Sequence, residues 1–170
     1  VVNEGTIVAD RSGQTLTVQA QGGTFTNEGT VGARNGGILS ITAASWVNNG
    51  VLELTESILN LGGTWKPGDL SRFMRTGGTL NLTGTLDNTG EVFELNAVTG
   101  DLVLNGGTIR GGTLRASGGA KLVVSTNSSN RLDGVTLEGE VQLSVFDAQL
   151  RIANGLTLNS AIRHMSGRSF

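Results

Sequence analysis

A short pattern recurs along this chain at nearly constant spacing, and no other feature restricts its fold as strongly. Val1-Val2-Asn3-Glu4-Gly5-Thr6-Ile7, Phe25-Thr26-Asn27-Glu28-Gly29-Thr30-Val31 and Trp46-Val47-Asn48-Asn49-Gly50-Val51-Leu52 share one frame. Weaker copies begin at Trp65, Leu86, Ile109, Leu132 and Leu156. The intervals between starts are 24, 21, 19, 21, 23, 23 and 24 residues, a mean of about 22. A unit this short cannot cover its own apolar face. Stacked neighbours must cover it, which is the logic of a solenoid.

Each unit carries a second element of alternating apolar residues. It reads Leu16-Thr17-Val18, Leu39-Ser40-Ile41, Leu59-Asn60-Leu61, Leu80-Asn81-Leu82, Leu102-Val103-Leu104, Leu122-Val123-Val124 and Leu150-Arg151-Ile152. A period of two turns one face inward, as in a half-buried strand. Leu16, Val18, Leu39, Ile41, Leu59, Leu61, Leu80, Leu82, Leu102, Leu104, Leu150 and Ile152 are therefore expected to point inward. Turn residues follow in several units, as in Gly22-Gly23-Thr24, Gly62-Gly63-Thr64 and Gly106-Gly107-Thr108. No window sustains helical i, i+3, i+4, i+7 spacing, and recurrent glycine costs about 1 kcal/mol each inside a helix. Propeller repeats are longer, at about 40 residues. The 27 glycines and single proline suit corners joined by paired strands.

The expected fold is all-β: a single parallel β-helix, or β-solenoid, of about eight coils of about 22 residues. Right-handed coiling follows from the handedness of parallel crossovers. Coils stacked about 4.8 Å apart make a rod about 40 Å long. The repeats span residues 1–162, and residues 163–170 read as an irregular tail or cap. Because the motif starts at residue 1 without a polar cap, the chain reads as a fragment of a longer array or one whose end a partner covers. Uncapped coils leave ladder groups open, so end-to-end self-association is expected.

Composition excludes several classes of function. A net charge of −2 lacks the cationic footprint of a nucleic-acid binder. No apolar run is long enough for a membrane span. With no cysteine and one histidine, His164, there is no thiol chemistry, zinc centre or serine–histidine triad to assemble. No glycine-rich stretch continues into a phosphate-binding GK[ST], and the calcium repeat GGxGxD does not occur. Neither a cofactor nor a metal is expected.

The NxGT-type openings, GGT corners and LxL strands resemble β-solenoid repeats of large bacterial surface and secreted proteins. Autotransporter passengers and filamentous-haemagglutinin-like adhesins are the nearest groups. The resemblance covers nearly the whole chain. It implies an extracellular or cell-surface setting and a structural or adhesive role, with no catalytic motif to carry over.

Stacking converts each repeat position into a column. Val1, Phe25, Trp46, Trp65, Leu86, Ile109, Leu132 and Leu156 form an apolar column expected to face inward. The competing use, an outward Trp46–Trp65 platform for sugars, requires that column to be reversed. Asn3, Asn27, Asn48, Pro67 and Asn88 form a corner column in which stacked carboxamides pair along the rod. Lys66, Asp87, Arg110 and Asp133 alternate in sign on successive coils. They read as a structural charge ladder that sets register. Read as catalysis, Asp87 and Asp133 would be paired carboxylates about 10 Å apart, two stacking steps. Arg110 between them holds both ionised, which removes the proton donor that glycoside cleavage needs.

A further alternation runs from Glu53 and Glu56 through Arg72 and Arg75 to Glu91 and Glu94, read first as arginines held between carboxylates. Lys66, Arg72, Phe73 and Arg75 lie in the least regular coil. An irregular loop bearing arginine and an aromatic is the favoured place for a partner contact. The expected function is a non-catalytic rod or adhesin segment of an extracellular bacterial protein. A carbohydrate-binding or polysaccharide-degrading β-helix is the alternative. Expected partners are neighbouring repeats, flanking domains of a parent chain, or a host glycan or surface protein. Ice binding is disfavoured because Thr24, Ser45, Thr64, Thr85 and Thr108 form one row without a second.

Overall fold

A computed structural model describes residues 1–143 and 146–164. The chain winds into a β-solenoid of about eight coils, roughly 21 residues apart. Three parallel faces run along the stack. The first is built from Val2–Asn3, Thr24–Asn27, Ser45–Asn48, Thr64–Trp65, Thr85–Asp87 and Thr108–Arg110. The second begins with Thr6–Ala9, Thr30–Ala33, Val51–Thr55 and Phe73–Thr76, then continues with Val92–Leu95 and Thr113–Ala116. The third holds Thr15–Val18, Ile38–Ile41, Ile58–Leu61, Thr79–Leu82, Leu102–Leu104, Leu122–Val124, Val141–Leu143 and Ile162–His164. In the last two coils, Arg131–Glu138 and Arg151–Leu158 run without interruption from the first face into the second.

Period-two alternation fills the centre. Leu39, Ile41, Leu59, Leu61, Leu80, Leu82, Leu102 and Leu104 are all buried, as the sequence predicts. The large residues of the first column are buried too. Phe25 stacks on Trp46, Trp46 on Trp65, and Leu86, Ile109 and Leu132 continue the line. The two indole rings lie 5.6 Å apart and nearly parallel, and Phe93 meets Trp65 edge-on at 6.0 Å. An outward tryptophan platform is therefore ruled out: Trp46 and Trp65 are 2% and 1% exposed.

Four expectations fail near the ends of the stack. Leu132 pairs with Ile152, so the eighth coil starts its first face at Ile152, and Leu156 pairs with Val135 on the second face. Leu150-Arg151-Ile152 resembles a third-face strand only in composition. That strand in the seventh coil is Val141-Gln142-Leu143. Leu16 and Ile152 are exposed because each belongs to an end coil that one neighbour alone covers. Arg163 and His164, expected to open an irregular tail, pair with Gln142 and Leu143. Residues 165–170 of that expected tail lie outside the described residues.

Corners are held by carboxamides. The Asn3 amide donates to Asn27 Oδ1 at 2.7 Å, and the Asn27 amide donates to Asn48 Oδ1 at 2.7 Å. Each amide also donates to a backbone carbonyl of the next corner, Thr30 or Val51. Beside them Gly5, Gly29 and Gly50 stack so closely that a Cβ on Gly29 would collide with the Gly5 carbonyl oxygen. This explains the invariance of Asn-x-Gly in these three coils: the amide needs that proximity to reach its partner. On the third face Asn81 donates to Asn60 Oδ1 at 2.8 Å, and Asn60 donates to Ser40 Oγ at 2.9 Å. Asn48→Ala removes a buried donor and acceptor together. It is expected to cost about 1–3 kcal/mol in urea unfolding. A cost below about 0.5 kcal/mol would show that the ladder does not stabilise the corner.

Candidate functional site

The fourth coil departs from the pattern of the first three. Its first-face strand shrinks to Thr64–Trp65, and Pro67–Leu70 forms a 3-10 turn. Proline fits the start of that turn, where its missing N–H costs nothing. The asparagine column therefore does not pass through Pro67. Asp69 takes over instead. It is 8% exposed, and its carboxylate accepts the Asn48 N–H at 3.0 Å and the Lys66 N–H at 2.8 Å. Its carbonyl accepts the Asn48 amide at 3.0 Å. Beyond the turn, buried Asn88 donates to the Thr113 carbonyl at 3.0 Å, but its Oδ1 has no hydrogen-bond partner. Trp65 Nε1 is likewise buried and unpaired. Both atoms belong to the two coils where the corner changes form.

Lys66, Asp87, Arg110 and Asp133 do fall in one column. Asp87 pairs with Arg110 and Arg110 with Asp133 in register, and Lys66 follows Trp65, the partner of Leu86. The charges nevertheless make other contacts. Among the described residues no ion pair joins one member of the column to the next. Asp87 accepts the Thr89 hydroxyl at 2.8 Å. That bond holds its carboxyl below the usual carboxylate range. Partial desolvation opposes it, the Thr89 N–H adds to it, and Arg110 and Lys66 contribute at longer range. Asp133 pairs with Arg131 at 3.0 Å and accepts the Asn154 amide. Asp87 is thus satisfied within its own corner, whereas Asp133 bonds both to Arg131 in its own coil and to Asn154 in the next.

The basic residues of the fourth coil separate into different roles. Arg72 is exposed and donates to the Asn49 carbonyl at 3.0 Å. Phe73 is 5% exposed and stacks on Leu52, so it presents no surface to a partner. Arg75 pairs in register with Leu54. It donates to the carbonyls of Thr99 and Asp101 in the fifth coil at 2.7 and 2.8 Å, and to Gly78 at 2.7 Å. Burial pushes its guanidinium below the usual arginine value, and the Asp101 carboxylate opposes that shift. Carbonyl oxygens, not the expected glutamates, hold this cation. Its inward side follows from the pattern, since Phe73 and Arg75 are two residues apart.

A charge ladder that column-reading of the first face could not find lies on the second. Arg115 sits between Glu94 and Glu138 in register, at 3.2 and 2.8 Å. Both carboxylates raise its already high affinity for a proton. The signal was the shared position in Phe93-Glu94-Leu95, Leu114-Arg115-Ala116 and Leu137-Glu138.

The second face is interrupted between the fourth and fifth coils. Phe73–Thr76 pairs with Val51–Thr55, and Val92–Leu95 pairs with Thr113–Ala116, but these two blocks do not pair with each other. Beside this break a cleft of about 340 Å³ lies between the 3-10 turn and the fifth-coil strand, lined by Pro67, Leu70, Ser71, Val92, Phe93, Glu94, Thr99 and Arg115. A more apolar cleft of about 390 Å³ lies on the other side of the 3-10 turn, between Val47, Lys66 and Glu91. Among the described residues no group of three acidic, histidine or cysteine side chains gathers as metal ligands. Searches for similarity found no matching family model, no matching curated protein and no matching solved structure.

Proposed function

We propose that this chain is a non-catalytic rod segment of an extracellular surface protein, holding neighbouring parts of a parent chain at fixed separation. The observation that carries the reading is how the repeated polar side chains are used. Asn3, Asn27, Asn48 and Asp69 bond to one another along the corner. Ser40, Asn60 and Asn81 do so on the third face, and Glu94, Arg115 and Glu138 on the second. Groups that serve stacking in this way are not free for chemistry. A carboxylate acting as general acid needs a raised pKa. Asp87 is shifted the other way by Thr89.

A depressed carboxylate stabilises the fold above its unfolded pKa, about 3.9, and loses that contribution as pH falls through its lower folded value. Asp87→Asn is therefore expected to cost within about 1 kcal/mol at pH 7, since solvent screens this exposed group. The difference from the parent chain should shrink below about pH 4. A reducing-end assay across plant, bacterial and host polysaccharides tests the functional reading directly. No cleavage is expected from the parent chain. Hydrolysis by the parent that Asp87→Asn abolishes would replace the rod with a polysaccharide-degrading enzyme.

A further inference from the structure

Four asparagines in this chain precede glycine: Asn35, Asn49, Asn105 and Asn154. Such a pair can close a five-membered ring, because the glycine nitrogen reaches the asparagine Cγ with no side chain in the way. The fold blocks three of the four. The Gly36 N–H donates to Ser57 Oγ of the third coil at 3.0 Å. The Gly50 N–H donates to the Asn27 carbonyl at 2.9 Å, and the Gly106 N–H to Oδ1 of buried Asn130 at 2.6 Å. Each of these glycines is also wedged against the stack. A Cβ would strike Ser12 at Gly36, the Gly29 carbonyl oxygen at Gly50 and the Asn127 amide at Gly106.

Gly155 is placed differently. The ladder pairs Asp133 with Ala153 and Val135 with Leu156, so Asn154 and Gly155 stand together opposite Gly134. Two residues against one interrupt the regular pairing at this corner. Both are exposed, and among the described residues a Cβ on Gly155 meets nothing within 4 Å. The backbone of Asn154 does not set it apart, since Asn35 shares its left-handed φ, 55° against 53°. We propose that Asn154 is a site of spontaneous deamidation, at which this corner changes charge. The Gly155 nitrogen gives its proton to a solvent base and bonds to Asn154 Cγ. The Cγ–Nδ2 bond breaks and ammonia leaves. One water then opens the ring at either carbonyl and yields aspartate or isoaspartate, with nothing oxidised or reduced. The consequence follows from Asp133, whose carboxylate accepts the Asn154 amide and pairs with Arg131 at 3.0 Å. A carboxylate in place of that amide sets acceptor against acceptor and negative against negative. The modification therefore unfastens the eighth coil from the seventh at this corner. The proposal is independent of the rod reading.

The test incubates the 170-residue chain in mildly alkaline buffer and follows each Asn-Gly pair by peptide mapping with mass spectrometry. Asn154 is expected to convert at least about tenfold faster than Asn35, Asn49 or Asn105, whose reacting atoms are held apart. In concentrated urea, where the fold is lost, all four are expected to convert at similar rates. Asn154→Gln is expected to leave the folded chain without a fast site. An unmodified Asn154 in the folded chain overturns the proposal, and so does conversion of any of the other three as fast as Asn154. The same ranking in urea also overturns it, because the fold would not then select the site. Asn154→Asp installs the acid directly. It is expected to speed hydrogen exchange at the Arg151 and Asn159 amides, which donate to the carbonyls of Asn130 and Leu137 at 2.9 Å each. Unchanged exchange at both overturns the unfastening of the corner.

Discussion

Trp65→Ala should lower the stability of the solenoid by about 3–5 kcal/mol, the cost of emptying a large aromatic from a packed core. Trp65 is buried between Trp46 and Leu86 and takes Phe93 edge-on, so its removal strips contacts from three coils at once. The cavity would open beside the interruption of the second face, where no continuous ladder resists local opening. Trp46 remains as the sole tryptophan and reports on the third coil. Urea titration followed by Trp46 fluorescence and by circular dichroism measures the loss. A change below about 1 kcal/mol would mean that neighbouring side chains collapse into the space and that the aromatic stack is not the centre of the core.

Gly63→Ala is expected to cost about 2–5 kcal/mol. Its φ of +60° contributes about 1–2 kcal/mol of that for any residue with a Cβ. The remainder is overpacking of about 1–3 kcal/mol. A methyl group there would be driven into the carbonyl oxygen of Ala43 in the coil below. Gly13 separates the two contributions. It also has positive φ, at +69°, but a Cβ there meets nothing within 4 Å. Gly13→Ala should therefore show the backbone cost alone. Equal losses from the two substitutions would show that crowding between coils contributes nothing.

The fold was legible because its two strongest signals are local. Large apolar residues at the start of each unit and leucines at alternate positions survive any uncertainty in corner length; the first set is buried from the second coil to the seventh, the other from the second to the sixth. Register was lost where a corner ceased to look like one. Arg131–Glu138 and Arg151–Leu158 round their corners as single strands, with an irregularity between Asp133 and Val135 in place of the Asn-x-Gly frame. Leu150-Arg151-Ile152 then imitated the third-face pattern. The role of Asp69 was hidden for a different reason. Aligning by position placed Pro67 under Asn48, whereas the 3-10 turn carries the chain two residues further before a polar side chain can reach. Charge alternation misled at Arg75 because it counts residues and ignores side. Phe73 faces inward, and two residues on, Arg75 must as well. The interruption of the second face has no local signature. The distance from first-face to second-face core residue changes along the chain but does not mark the break, because the second face stays paired across its largest changes. It is six residues from Trp46 to Leu52, eight from Trp65 to Phe73, seven from Leu86 to Phe93 and five from Ile109 to Leu114.

The asparagine ladder has a direction. Each amide gives its proton to the coil that follows, from Asn3 to Asn27 to Asn48, and the series closes on the carbonyl of Asp69. Donor and acceptor therefore match wherever one asparagine corner succeeds another, whatever their number. A gene duplication that copies the 21 residues from Phe25 to Ser45 would reproduce both ends of that match. It would lengthen the molecule by one step of about 4.8 Å without a new interface to invent. After Asp69 the same duplication would find a carboxylate and a proline where an amide is needed. The first three coils are thus a stretch of chain that can grow by copying, and the fourth is where such growth stops.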